Sequence, residues 1–179
     1  MRFRRLTSEE LETLEEDFIQ FLASSHITAK EWTDLKETNL EKVEELIGLF
    51  SDIVLEKVFS KMDCLQHRTK DTIRVFYCQE DKITMTGLQI SDPSKDLTNP
   101  EDLTILANPA SLKGSVKVFQ VDKAYVQERA DEVFSMLYKD GCQPARPSLF
   151  AALVTLYETP VSDRSSFFSF FLFHLPLFE

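Results

Sequence analysis

The residues able to bind a metal or attack a substrate are few in this chain and poorly spaced for either task. The imidazoles are His26, His67 and His174, and the thiols are Cys64, Cys78 and Cys142. A zinc site takes four convergent ligands delivered in recognisable Cys or His pairs, and these six residues do not assemble into such a set. Glu-x-x-His, the pattern that builds di-iron sites in helix bundles, occurs nowhere. No metal and no cofactor is therefore expected. Cys78 falls inside a predicted strand and Cys64 near the end of a predicted helix. Cys142 follows a helix C-terminus, where the local dipole opposes a thiolate. All three read as buried, inert thiols. The four glycines, at 48, 87, 114 and 141, stand alone, so neither a P-loop nor a dinucleotide fingerprint can be written. Gly114-Ser115 also lacks the frame of a serine nucleophile elbow. Catalytic residues are thus not expected, and the chain reads as non-catalytic.

The carboxylates are the remaining chemistry. Glu41, Glu45, Asp52, Glu56 and Asp63 fall within about 60° of one another on a predicted helix, and Phe59 points into the same stripe. Such a stripe can hold a divalent cation or meet a basic partner; the plainer reading is a solvated outer face. Partner binding through Glu41, Glu45, Asp52, Glu56, Phe59 and Asp63 is the functional expectation, with something covering the Phe59 end. The one basic cluster, Arg2, Arg4 and Arg5, could touch an RNA backbone, but pairing with nearby acidic helices explains it more simply.

The elements that carry this stripe are marked by three Thr-x-x-Glu capping boxes, Thr7 to Glu10, Thr28 to Glu31 and Thr38 to Glu41. They predict helices over about 8–24, 29–36 and 39–65. Leu6 is placed to staple onto Leu11 and Ile27 onto Trp32, which makes Trp32 a core anchor between the first two helices. The third helix has two apolar centres, one at Val43, Leu46, Ile47, Phe50, Ile53 and Val54, the other at Leu55, Val58, Phe59, Met62 and Leu65. The first is expected to pack on the preceding helices and the second under a sheet. Residues 8 to 63 hold 15 Asp and Glu against 5 Lys and Arg, which concentrates the net charge of −10 in this block. A chain so charged is not expected to bind DNA, and RNA binding is disfavoured.

Beyond the helical block, strands are predicted over 71–79, 83–90 and 115–121, the first two as a hairpin. Residues 91–114 are loop-rich, broken by three prolines. A helix over about 124–139 has Gly141 as its C′ glycine, and Pro147 opens a last helix reaching Glu158. Thr159-Pro160 ends it, and a Phe-rich segment, FFSFFLFHLPLF over 167–178, follows. That segment is too short to span a bilayer as a helix, and it reads as a poorly packed tail, a strand or turn on the core, or a membrane or partner contact. The fold class is α+β: an N-terminal acidic three-helix block (1–65), then a small antiparallel sheet with two C-terminal helices (66–158) in one domain, and a tail (159–179). The absence of a secretory h-region and the odd number of cysteines place the expected protein in the cytoplasm.

Arg5-Leu6-Thr7, Glu16-x-Phe18-Ile19-x-Phe21-Leu22-Ala23, Ile27-Thr28-Ala29-x-x-Trp32 and Phe50-Ser51-Asp52 together resemble a small uncharacterised family from Bacteroidota, some of whose members carry the label histidyl-tRNA synthetase. The resemblance covers about residues 1–65 and continues loosely through the hairpin and the helix after Lys123. It implies no catalytic residue. A synthetase needs a large catalytic sheet and arginines on ATP, for which this chain is too short. The resulting expectation is a cytoplasmic protein-interaction module using an acidic helical surface. The alternatives are a small enzyme using surface carboxylates or a metal, and an RNA- or ribosome-associated factor using Arg2, Arg4 and Arg5.

Overall fold

The computed structural model describes residues 1–99, 101, 102 and 116–159. The Phe-rich segment and the loop prolines 100 and 109 lie outside the described residues. The chain is α+β and divides into two compact units, Met1–Lys61 and Met62 onward.

The first unit is helical: α1 (Ser8–Thr13), α2 (Glu15–Ser24), α3 (Ala29–Thr38) and α4 (Leu40–Ser60). Two of the predicted capping boxes form. Glu10 N donates to Thr7 Oγ1 at 3.2 Å and Thr7 N to Glu10 Oε2 at 2.8 Å. Thr28 and Glu31 repeat the exchange at 3.3 and 2.8 Å. The third does not form. Thr38 is still helical and its hydroxyl donates back to Asp34 O at 2.7 Å, so Asn39 becomes the junction and caps α4 by accepting from Lys42 N at 3.1 Å. The predicted first helix breaks at Leu14, whose φ of −105° and ψ of 21° leave the helical range.

The core of this unit is a chain of rings. Phe18 meets Phe50 at 5.0 Å and Trp32 at 5.3 Å, both edge to face, and Phe21 lies 5.5 Å from Phe50. These separations and tilts suit the aromatic quadrupole. Each of the two apolar centres expected on the long helix is buried only in part on α4. The helix ends at Ser60, so Met62 and Leu65 never join it, and Ile53 and Val58 are exposed. Val43, Leu46, Ile47 and Phe50 of the first centre and Leu55 and Phe59 of the second are buried, with Ser51 between them. A serine fits there because its buried hydroxyl is fully paired, accepting from Leu6 N at 3.1 Å and donating to Ile47 O at 2.7 Å.

The second unit is a five-stranded antiparallel sheet in the order β4-β3-β2-β1-β5, from β1 (Cys64–Arg68), β2 (Thr72–Cys78), β3 (Lys82–Ile90), β4 (Val116–Ala124) and β5 (Gln143–Pro144). The strand β1 stands where the sequence predicted the end of a helix. Helix α5 (Arg129–Tyr138) and helix α6 (Pro147–Glu158) complete the unit. Alternation splits the sheet's side chains. Ile73, Val75, Leu88 and Ile90 form a dry core with Leu97 and with Leu153 and Leu156 of α6, and Tyr77 stacks on Phe150 at 5.1 Å. The alternate positions, among them His67, Arg74, Phe76, Met85 and Val121, take the opposite face. On that face Gly87 has no room for a side chain, since a Cβ would fall 2.6 Å from Phe119 Cε2. The ring of the neighbouring strand occupies the place a side chain would take.

Candidate functional site

The predicted acidic stripe begins on α4 and is largely engaged by the chain's own N-terminus. Asp52 accepts from Arg2 N at 2.7 Å through Oδ2 and from Phe3 N at 2.9 Å through Oδ1. Arg2 pairs with Glu56, Arg5 with Glu44, and Lys42 with Glu45 at 2.8 Å. Two members leave the predicted set. Phe59 is 3% exposed and packs edge to face on Phe3 at 5.2 Å, so it is unavailable to a partner; the cover expected over it is Phe3. Asp63 lies beyond the end of α4, in the second unit, where it faces Arg129 Nη2 at 3.4 Å. What remains on that side of α4 is Glu41 and Glu45, exposed, and Asp52 and Glu56, half-buried under the N-terminus, edged by Leu49 and Ile53, 49% and 57% exposed. Met1, Arg5, Gly48 and Leu49 line a shallow groove of about 300 Å³ there. Gly48 adds room, since a Cβ at that position would meet nothing within 4 Å.

Arg4 clamps Glu10 with two bonds of 2.6 and 2.7 Å. That guanidinium, with the Thr7 amide next, pulls the Glu10 carboxyl down to about 2 from its ordinary 4.5. A carboxylate depressed in the fold contributes stability above its ordinary value and loses it as pH falls through the folded one. The melting-temperature difference between wild type and Arg4→Met should therefore be full above pH 4.5 and close as pH falls toward about 2. A difference independent of pH would remove Glu10 from the explanation.

The second unit contributes a cleft between α5 and the sheet, with a volume of about 380 Å³. Helix α5 is tied down at its first residue. Arg129 donates to the carbonyls of Cys78 and Met62 at 2.9 Å each and of Gln79 at 3.1 Å, while Tyr125 Oη donates to Gln79 O at 2.9 Å. One turn later Lys123 pairs with Glu132 at 2.9 Å, and Val126 N donates to the same carboxylate. Those bonds outweigh the opposing effect of burial and hold Glu132 below the ordinary carboxylate range. Cys142 lines the cleft as well, but burial pushes its thiol up to about 11. Cys64 and Cys78 are raised to the same value, also chiefly by burial, so none of the three is a thiolate nucleophile at neutral pH.

Of the histidines, His26 sits in the turn between α2 and α3 with φ of 59°, His67 lines the α5 cleft, and His174 is outside the described residues. Among the described residues no three of His, Cys, Asp and Glu come together as a metal site. No helix among them is long and apolar enough to cross a membrane. Sequence reasoning overlooked Arg129 and Arg74. The partners of Arg129 are backbone carbonyls distant in the chain, and Arg74 sits inside a strand where alternation leads one to expect a solvated polar residue.

The sequence profile of a family of unknown function, DUF6495, matches residues 1–158. The chain belongs to that family. The match takes in both units, and every described element of the fold lies within it. No curated protein and no solved structure matches the chain.

Proposed function

We propose that this member of the family is a non-catalytic, cytoplasmic protein-interaction module, and that the solvent side of α4 receives a basic, amphipathic segment of its partner. The observation carrying this reading is the exposed pair Leu49 and Ile53, one turn apart, beside the exposed Glu41 and Glu45 and the half-buried Asp52 and Glu56 on the same helix. The apolar pair supplies area to bury. The carboxylates select the sign of the partner and disfavour a second copy of this face, which would set like charges together. Arg2, Arg4 and Arg5 are already paired with Glu56, Glu10 and Glu44, which argues against their use on an RNA backbone. Three buried, unbridged cysteines suit a reducing compartment.

The test is fluorescence anisotropy with a labelled helical peptide of alternating lysine and leucine turns. Saturable binding is expected, weakened at least tenfold by Leu49→Ser with Ile53→Ser, while the unfolding midpoint stays within the small range typical of exposed sites. Equal affinity in wild type and the double variant would reduce the interaction to unspecific charge attraction and remove the proposed face.

A further inference from the structure

The cleft under α5 brings together a second group of charged and apolar side chains. Its sheet side presents Arg74 and His67, which are cross-strand partners in the register of β1 and β2. Both are half-buried. Among the described residues the Arg74 guanidinium has neither a carboxylate nor a hydrogen-bond acceptor, in contrast to Arg2, Arg4, Arg5 and Arg129, each of which is engaged. Arginine offers a planar fork that matches a carboxylate with two parallel bonds. Beside it the floor is apolar, formed by Phe76 and Met85 with Met136 above. A partly desolvated cation next to an apolar floor, in a volume of about 380 Å³, has the composition of a small-molecule site.

The same cleft disfavours a doubly charged anion. Glu132 and Asp140 line it from the α5 side, and Lys123 is already committed to Glu132. A phosphate dianion would gain Arg74 and His67 but face both carboxylates. A monoanion seated on Arg74 leaves the second charge out. We propose that this cleft binds a small organic monocarboxylate with an apolar or aromatic body, the carboxylate paired with Arg74 and the body lying on Phe76 and Met85.

The experiment titrates 3-phenylpropionate into the full chain and follows the methionine methyl signals by NMR. The Met85 and Met136 methyls should shift saturably while that of Met62 stays. A low-millimolar midpoint is expected for a ligand of roughly eleven non-hydrogen atoms. Phenethylamine, which has the same body and the opposite charge, should leave the methyls in place, and inorganic phosphate should not saturate. Arg74→Met should weaken binding at least tenfold, and Arg74→Lys, which keeps the charge and loses the fork, should fall between. Because the methyl readout is made on the wild type, the proposal stays testable if a variant folds poorly. Absence of saturation, an equal response to phenethylamine, saturation by phosphate, or wild-type affinity in a folded Arg74→Met would each overturn it.

Discussion

Arg129→Leu should destabilise the protein by on the order of 3–4 kcal/mol, read as a drop in the urea midpoint without a change in slope. The guanidinium closes three backbone carbonyls, those of Met62, Cys78 and Gln79, with only 17% of its side chain exposed. Hydrogen bonds from a charged donor contribute about 1.5–3 kcal/mol each, and removing the donor leaves part-buried acceptors behind. Leucine matches the bulk and supplies no proton. Arg129→Lys keeps a charge but reaches fewer carbonyls, so it should recover only part of the loss. A cost below about 1 kcal/mol for the leucine variant would show that water satisfies the carbonyls in its place.

Phe50→Ala should cost about 3–5 kcal/mol, the range for removing a buried aromatic ring. Phe50 is 3% exposed and is the ring on which both Phe18 and Phe21 converge. Its loss opens a cavity that two helices would have to collapse to fill. Trp32 is half-buried and touches the cluster through Phe18, so Trp32→Ala should cost less than Phe50→Ala. Thermal or chemical denaturation of both variants provides the comparison. The reverse order would place the centre of the first unit's core at the corner between α2 and α3 and away from α4.

These residues also show what the sequence could reveal. Thr7 and Thr28 announce helix starts because a capping box is a local exchange between residues three apart. Thr38 carries the same letters and fails, because Asn39 offers a competing cap and α3 runs on through Thr38. The hairpin of β2 and β3 was legible from β-branched and aromatic runs. The strand β1 was not, because Met62 and Leu65 continue a helical spacing, and it is the distant pairing with Tyr77 through Ile73, and with Gln143 and Pro144, that makes Cys64–Arg68 a strand. The covered Phe59 was foreseeable as a conflict within the acidic stripe, but its cover, Phe3, lies far away in sequence. The engagement of Asp52 and Glu56 by the N-terminus was legible only as a charge balance, since spacing cannot say which arginine meets which carboxylate. That Arg74 has no partner among the described residues could not be read at all, because it depends on what the fold brings near it.

In the proposed function, α4 selects a basic amphipathic segment by sign as well as by apolar contact. A charge swap tests it most directly. Glu41→Lys with Glu45→Lys, two exposed sites that carry no core contact, should lose the lysine-leucine peptide and gain a glutamate-leucine peptide of the same pattern. Wild type should bind only the basic one, with affinity falling as salt rises. Binding of both peptides by both proteins, or no exchange of preference on reversal, would contradict the account.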